Sequence, residues 1–410
     1  MIFTCSKLFT CRPRAPFIEN GAIVINRGDI LAVGTENKVK KKFSSHRVIQ
    51  LQNAVLMPGL INLHSHLEIP PLLERVRAKT FPDWIINLIR AKKDLSNKDY
   101  RSTTRININT LIQTGTTTVG EICTHGVSPA LLIRAGLRSV VYQEIISMNP
   151  VQGNHWRPPP RLPSPSSLLV QAGLSPHTPY TVSQAALRAI SRLSQKKGIR
   201  VAMHIAESLD EVRLLQRKKS GLEELYRLAG WDICWAPQGD SSIEYLKGID
   251  FLSPNLLAVH AVQVAGNDLD CIRKANVSIA HCPRSNKETG VGKMPLKMFL
   301  DAGIIVGLGT DSLASSPTLS MWDEMRYAYQ IHRRDGVSAE DIFKLATING
   351  AKALGLDTEI GTLAPGKKSD MIAVPLPEKD TGDIYSDLLR ETKSCIMSMV
   401  NGKVLHIERV

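Results

Sequence analysis

The sequence predicts an α/β protein in which a (β/α)8 TIM barrel carries a small β-sandwich domain built from both chain termini. Short apolar runs alternate with helical patterns through the middle of the 410-residue chain, over the roughly 250 residues that such a barrel needs. Eight of these runs are long enough to be buried parallel strands. Strand-like segments separated by turns occupy both ends of the chain. We therefore expect residues 1–55 and 359–410 to form the small domain and residues 56–358 to form the barrel.

The terminal segments have the pattern of a β-sheet, with short apolar strands separated by turn residues. Residues 21–34 read as an apolar strand, a turn of Asn-Arg-Gly-Asp and a second apolar strand. Residues 361–375 and 396–405 have a similar pattern of short apolar runs and turn residues. Strands at the two ends of a chain often pair, so these segments predict one shared sheet domain.

The barrel elements follow in order. We expect its helices at 82–94, 98–114, 182–196, 207–228, 318–332 and 338–352. We expect its eight strands to end near His66, Glu121, Glu144, His177, Ala206, His260, His281 and Thr310. A proline-rich segment, 157–167, lies between the third and fourth of these strands and is predicted to be an extended loop over the barrel mouth.

Metal-ligating residue types occur at several of these strand ends. His64 and His66 are two residues apart, so both side chains point to the same face of the strand. His204, His260 and Asp311 each follow a later apolar run. Because chemistry in such barrels sits at the C-terminal ends of the strands, we expect all five to converge. A lone histidine is more often structural, but five residues at correctly ordered strand ends predict a metal site.

The expected chemistry is hydrolysis. His64, His66, His204 and Asp311 suit one divalent transition metal and leave room for a water molecule, whose pKa such a metal lowers. Glu207 lies three residues beyond His204 and is the candidate proton shuttle, while His260 is placed to orient or deprotonate the water. The fourth strand end has no lysine that, once carbamylated, would bridge two metals, which favours a single ion.

Five further residues are candidates for contact with a substrate, each with a structural alternative. Trp84 either stacks on a substrate ring or packs in the core at a helix start. His177 and His281 either face the substrate or serve packing, and Ser312 adjoins Asp311. Glu68 is either a pocket residue or an exposed loop acid. The remaining histidines are assigned to the surface or to packing: His46, His125, His155, His332 and His406.

Composition restricts the class of partner. The net charge is +13, but the basic residues are dispersed, so we expect a solvated surface and no nucleic-acid partner. No apolar stretch approaches the roughly 20 residues of a membrane helix, and the N-terminus lacks a signal-peptide pattern. Seven scattered cysteines indicate reduced thiols. These features predict a cytoplasmic protein with a small-molecule substrate and no membrane partner, and they leave a homo-oligomer open.

The chain resembles the amidohydrolase superfamily, in particular its branch of cytosine deaminase-like, chlorohydrolase-like and S-adenosylhomocysteine deaminase-like proteins. The resemblance covers nearly the whole chain. It rests on residues 56–66, 115–119, 203–207, 280–286, 309–312, 321–325, 346–351 and 361–367, with Asp370.

This resemblance implies metal ligation by His64, His66, His204 and Asp311, with zinc or iron(II), and proton transfer by Glu207 beside His260. It implies deamination of the 6-amino group of an adenine-type nucleoside such as adenosine, methylthioadenosine or S-adenosylhomocysteine. Trp84 and the segments 142–145 and 310–316 favour aminofutalosine deaminases of menaquinone biosynthesis, with 6-amino-6-deoxyfutalosine as substrate.

One position departs from the family pattern. Pro82 replaces the acid that holds ribose hydroxyls in related deaminases, so Asp83 or Glu68 substitutes for it or the substrate differs. A chlorohydrolase, a guanine deaminase and a non-catalytic binding protein on the same scaffold remain the alternatives.

Overall fold

The computed structural model describes residues 1–12, 16–154, 167–264 and 266–408. Its strands are, in chain order, β1 (Ile2–Phe9), β2 (Phe17–Asn26), β3 (Asp29–Thr35), β4 (Val48–Pro58), β5 (Leu60–Ser65), β6 (Thr116–Cys123), β7 (Arg138–Ile145), β8 (Val170–Pro176), β9 (Arg200–Ile205), β10 (Leu256–His260), β11 (Ser278–His281), β12 (Val306–Leu308), β13 (Met371–Pro375), β14 (Met397–Val400) and β15 (Lys403–Ile407).

Helices connect most of these strands. They are α1 (Glu36–Lys42), α2 (Leu73–Val76), α3 (Phe81–Lys92), α4 (Asn97–Gln113), α5 (Ser128–Ala135), α6 (Pro150–Asn154), α7 (Gln184–Lys197), α8 (Leu209–Leu215), α9 (Leu222–Ala229), α10 (Ser242–Gly248), α11 (Asp268–Lys274), α12 (Pro283–Glu288), α13 (Leu296–Asp301), α14 (Met321–His332), α15 (Ala339–Leu345), α16 (Ile348–Leu354) and α17 (Ile384–Glu391).

Strands β5 to β12 form one parallel sheet in consecutive order, which confirms the predicted barrel. The two edges of the sheet approach each other where the backbone N–H of Asp311 donates to the carbonyl of His64 at 3.0 Å. Ser65 bridges Asp311 in parallel at the same place. Each strand ends within two residues of its predicted position. The predicted strand ends therefore all lie at one mouth of the barrel.

The chain termini form a second sheet with the order β15-β14-β13-β4-β1-β2-β3. Strand β4 links the two ends of the chain, since it pairs in parallel with β1 and antiparallel with β13. This pairing continues to Pro58, so the predicted division between residues 55 and 56 falls inside a strand. Gly59 then leads into the barrel, and a Cβ there would lie 2.0 Å from Thr117 Oγ1.

The barrel interior is a packed apolar core. Leu63, Tyr142, Ala202 and Leu257 belong to one buried cluster contributed by different strands. Alternate residues on each strand face inward in such a barrel, so the interior is filled with side chains and the site must lie at the mouth. Among the described residues, none of the helices has both the length and the apolar character needed to cross a bilayer.

Two predicted helices are each interrupted. Residues 207–228 form α8 and α9, and Arg217 between them has a positive φ of 56° that a helix does not continue through. Residues 338–352 form α15 and the start of α16, because the carbonyl of Ala346 accepts a hydrogen bond from Ile61 N–H of β5 at 2.8 Å. Residues 157–166 of the predicted proline-rich loop lie outside the described residues.

Candidate active site

The five predicted strand-end residues converge at the barrel mouth. His64 Nε2 lies 3.6 Å from Asp311 Oδ1, and His66 Nε2 lies 3.5 Å from the same oxygen. The His204 ring centroid is 4.9 Å from that of His64 and 5.5 Å from that of His260. All five side chains are buried. Their potential ligand atoms form two overlapping groups, His64–His66–Asp311 and His64–His204–His260, each with all its atoms within 4.8 Å of one another.

Hydrogen bonds outside this cluster orient the ligands. His204 Nδ1 donates to the carbonyl oxygen of His177 at 2.8 Å, which leaves Nε2 free to ligate. Asp311 Oδ2 accepts from Ser285 Oγ at 2.6 Å and from Ser315 Oγ at 2.8 Å. Its Oδ1 therefore faces the histidines. Such outer partners fix the tautomer and direction of metal ligands.

The donor set fits a transition metal. Both ring nitrogens of His64 are buried without a hydrogen-bond partner in the described part of the chain. A buried polar atom without a partner is costly, and a metal ion supplies the partner that His64 Nε2 lacks. Imidazole and carboxylate ligands together suit zinc or iron. A metal ion at this cluster would thus satisfy a buried nitrogen, His64 Nε2, that the protein leaves unpaired.

Burial keeps these imidazoles neutral. It lowers the pKa of His66 to about 3, with a further contribution from His64. It also lowers the pKa of His260 to about 4, although Asp311 acts in the opposite direction. Neutral imidazole is the form that binds a metal, so these side chains need no deprotonation near neutral pH.

The backbone at the site adopts conformations that non-glycine residues rarely take. Ala206, His260 and Asp311 have positive φ angles of 53°, 73° and 58°. Each costs conformational energy and persists only where the surroundings enforce it, which is typical of functional sites. Glu211 enforces one of these turns, because its carboxylate accepts from the backbone N–H groups of Ala206 and Glu207, both at 2.8 Å.

Glu207 follows this strained turn and points into the cluster. Its carboxylate Oε1 lies 3.5 Å from His260 Nε2. Burial raises the pKa of Glu207 well above its ordinary value, and the neighbouring Asp311 and Glu211 raise it further. A carboxyl group with a raised pKa is suited to general acid–base work.

A cavity of about 300 Å³ opens beside the cluster, and its lining includes His66, His204, Glu207, His260 and Asp311. This volume is at the lower end of the usual range for small-molecule sites.

Three predicted substrate residues line the same cavity: Trp84, His177 and Ser312. Trp84 Nε1 donates to the carbonyl of Ala314 at 3.1 Å, which fixes the indole against the loop after Asp311.

The structure places the other two predicted substrate residues elsewhere. The Glu68 carboxylate accepts from the backbone N–H groups of Thr124, His125, Val127 and Ser128, at 2.6–3.1 Å. These bonds hold the loop after β6, and Glu68 is not among the residues that line the cavity.

His281 is likewise absent from that lining. Its Nε2 lies 3.1 Å from His332 Nε2, so its side chain is engaged with a helix outside the barrel. Glu68 and His281 therefore make contacts within the protein, and their contact with a substrate stays a prediction.

Among the described residues, two charged side chains that line the cavity are not among the predicted site residues, Glu144 and Lys92. Glu144 lies at a predicted strand end. Chemistry in such barrels lies at the strand ends, so the position that identifies the histidines as candidates also identifies Glu144. Lys92 is the last residue of α3 and carries no sequence signal that separates it from other basic residues at helix ends.

Comparisons with known proteins identify the family of the chain. The model of the Amidohydrolase family matches residues 55–405, and the chain belongs to this family. The predicted superfamily is thereby confirmed.

Two curated relatives are similar over most of the chain. A 5-methylthioadenosine/S-adenosylhomocysteine deaminase from Pyrococcus abyssi is 30% identical over 370 residues, which cover 86% of this chain and 82% of that protein. A 5'-deoxyadenosine deaminase from Methanosarcina acetivorans is 27% identical over 422 residues, covering 97% of this chain and 90% of that protein.

A solved structure has the same fold. Helicobacter pylori aminofutalosine deaminase in complex with methylthio-coformycin superposes with a TM-score of 0.87 and is 22% identical. The match covers 98% of this chain and 99% of that chain.

Proposed function

We propose that the protein is a metal-dependent aminohydrolase that removes the 6-amino group of an adenine-type nucleoside. In this reaction water adds at the ring carbon that bears the amine, the carbon–nitrogen bond breaks, and ammonia leaves. The observation that carries the proposal is that Glu207, with its raised pKa, lies in one cavity with a buried histidine and aspartate cluster. The names of the curated relatives support the adenine nucleoside as substrate class.

We assign His64, His66, His204 and Asp311 to one divalent ion, zinc or iron(II), on the strength of the outer hydrogen bonds and the unpaired His64 nitrogens. When bound, such an ion supplies a Lewis acid that lowers the pKa of a coordinated water toward about 7.

His260 and Glu207 act on the attacking water and on the protons that the reaction transfers. His260 Nδ1 donates to Asn286 Oδ1 at 2.8 Å, so its Nε2 carries no proton, and we assign it to accept a hydrogen bond from the attacking water and orient it. Glu207, 3.5 Å from this nitrogen, donates its proton to the ring nitrogen next to the reacting carbon. It then takes the proton of the hydroxyl group added at that carbon and passes it to the amino group, which leaves as ammonia while the hydroxyl oxygen becomes a carbonyl. Each group is buried, so bulk water does not compete for these protons.

The cavity wall suits an aromatic base. Trp84 offers a ring face held in place by its bond to Ala314, and aromatic pairs of this kind favour offset stacking. Among adenine nucleosides we take 6-amino-6-deoxyfutalosine, an intermediate of menaquinone biosynthesis, as the leading substrate. The fold-level likeness to an aminofutalosine deaminase supports that choice, and methylthioadenosine and 5'-deoxyadenosine are its rivals.

The test is ammonia release by metal-replete protein from a panel of 6-amino-6-deoxyfutalosine, methylthioadenosine, 5'-deoxyadenosine, adenosine, guanine and a chlorotriazine. The expected result is loss of the adenine absorbance with one ammonia per nucleoside, and kcat/KM highest for an adenine nucleoside. A clearly higher kcat/KM for guanine or the chlorotriazine would replace the proposal with guanine deamination or chlorohydrolysis. No turnover of any compound would favour a binding protein.

A further inference from the structure

Glu144 is a carboxylate on the cavity wall that the proposed reaction does not use. It lies at the end of β7, on the same cavity as Trp84 and His177. Among the described residues that line the cavity, the other two carboxylates are Glu207 and Asp311, which belong to the reaction centre. Glu144 is therefore available to hold a part of the substrate away from the reacting carbon.

The Glu144 side chain is oriented on one side and free on the other. Its Oε2 accepts a hydrogen bond from Thr124 Oγ1 at 2.8 Å. Its Oε1 has no hydrogen-bond partner in the portion of the chain that the structure describes. Glu144 is only partly buried, and it lines the cavity. One acceptor oxygen is thus fixed in direction and available to a ligand.

Its charge state restricts what it binds. Burial raises the pKa of Glu144, but His177, His66, Lys92 and the Thr124 hydrogen bond together bring it below its ordinary value. An ionised carboxylate only accepts hydrogen bonds, so the ligand group must donate. Lys92 on the same wall supplies positive charge, which disfavours a second cation in the ligand. Neutral hydroxyl groups meet both conditions.

Other nearby acids are not available for this role. Asp83 accepts from Thr80 Oγ1 at 2.7 Å at the exposed start of α3 and does not line the cavity. The two oxygens of Glu68 are occupied by backbone N–H groups.

We infer that Glu144 is the residue that holds the sugar of the substrate, by accepting hydrogen bonds from the vicinal hydroxyl groups of its ribose. This inference rests on the proposed function, since it takes the substrate to be a ribonucleoside. With one oxygen held by Thr124, the carboxylate presents the other to a hydroxyl without losing side-chain freedom on binding. Glu144 then determines specificity for the sugar, while Glu207 and His260 act on the base.

The experiment compares Glu144→Gln with the unmodified protein on adenosine, 2'-deoxyadenosine and 3'-deoxyadenosine. We expect the unmodified protein to prefer adenosine over both deoxynucleosides. In the variant, kcat/KM for adenosine should fall by roughly 10- to 100-fold, mainly through KM, because a hydrogen bond to a charged group is lost. Each deoxynucleoside already lacks one of the bound hydroxyl groups and should be affected only a few-fold, so the preference for ribose collapses.

The matched control is Asp83→Asn, which removes a nearby carboxylate that does not line the cavity and should leave the preference unchanged. If Glu144→Gln does not fold, Thr124→Val removes only the hydroxyl that orients Glu144 and should reduce the preference in the same direction.

An equal loss for all three nucleosides would reveal a purely structural role and overturn the inference, as would an unmodified protein that does not discriminate between them. Turnover of guanine or a chlorotriazine without any adenine nucleoside would overturn the proposed function and this inference together.

Discussion

His64 connects the two halves of the metal-ligand cluster, since it belongs to both groups of ligand atoms. Its position was predictable, because two histidines separated by one residue at a strand end must share a face. Glu68 has the same two-residue spacing from His66, yet its carboxylate turns to the loop after β6. The sequence contains no signal for this difference, because Glu68 accepts from four backbone N–H groups only once the distant loop after β6 has folded around it. Periodicity therefore predicts a side chain's face but not its partners.

At the residue scale, His204→Ala tests metal ligation. His204 Nε2 is freed for a ligand by the bond from Nδ1 to the His177 carbonyl, so its removal should lower metal occupancy well below about one ion per chain and abolish turnover. Elemental analysis of the purified protein measures this. His406→Ala, in the terminal strand β15, is the control and should retain the metal. Full occupancy in His204→Ala would remove this residue from the ligand set.

Glu207→Gln separates proton transfer from metal binding. The variant keeps the shape of the side chain but loses the proton that the raised pKa retains, so turnover should fall by about 10²–10⁴-fold. Metal content should not change, because Glu207 is not in either group of ligand atoms. Steady-state kinetics and elemental analysis on the same preparation check both statements. Near-normal kcat in this variant would show that another group moves the proton.

At the element scale, the strands were predictable to within two residues and the helices less so. Buried parallel strands are mostly apolar, and polar residues follow them, so their ends can be recognised in the sequence. The break between α15 and α16 lies where the Ala346 carbonyl accepts a hydrogen bond from Ile61 N–H of barrel strand β5, a residue far away in the chain. Local patterns cannot contain such a contact. Helix α14 carries another, since its buried Glu324 accepts from the backbone N–H of Arg284 at 2.9 Å.

Glu324 should make stability fall as pH rises. Burial raises its pKa to about 8, whereas in the unfolded chain it is ordinary, near 4.5. Between these values the folded state holds a proton that the unfolded state has released, so the free energy of unfolding decreases with rising pH. Glu324→Gln removes this titration. Relative to the unmodified protein, the variant should therefore gain stability from about pH 5 to pH 8, on the order of a few kcal/mol.

Urea unfolding at a series of pH values measures this difference, in which the titrations shared by both proteins cancel. Glu340→Gln replaces an exposed acid on α15 that pairs with Lys344 at 2.8 Å; it is the control, and its free energy of unfolding should differ from that of the unmodified protein by less than about 1 kcal/mol. A constant difference between Glu324→Gln and the unmodified protein would contradict the raised pKa.

At the scale of the whole molecule, the barrel and the terminal sheet are joined by a buried ion pair. Arg138 begins β7 of the barrel, and its guanidinium donates to both oxygens of Asp370, at 2.7 and 3.1 Å. Asp370 immediately precedes β13, its Oδ1 also accepts from Asn401 N–H, and its carbonyl accepts from Gly59 N–H. Asp370 was recognised in the sequence as part of a family motif. Its partner was not, because the two residues are 232 positions apart.

Arg138→Met should destabilise the protein by about 3–5 kcal/mol, because it leaves the buried Asp370 carboxylate without its counter-charge. Adding Asp370→Asn should recover part of this loss, since the amide oxygen still accepts from Asn401 and no charge stays buried. The free energies of unfolding come from urea titrations of the three proteins. Arg273→Met, which breaks an exposed pair with Asp270 at 3.2 Å, is the control and should cost less than about 1 kcal/mol. If Arg138→Met costs no more than this control, the pair does not hold the sheet to the barrel.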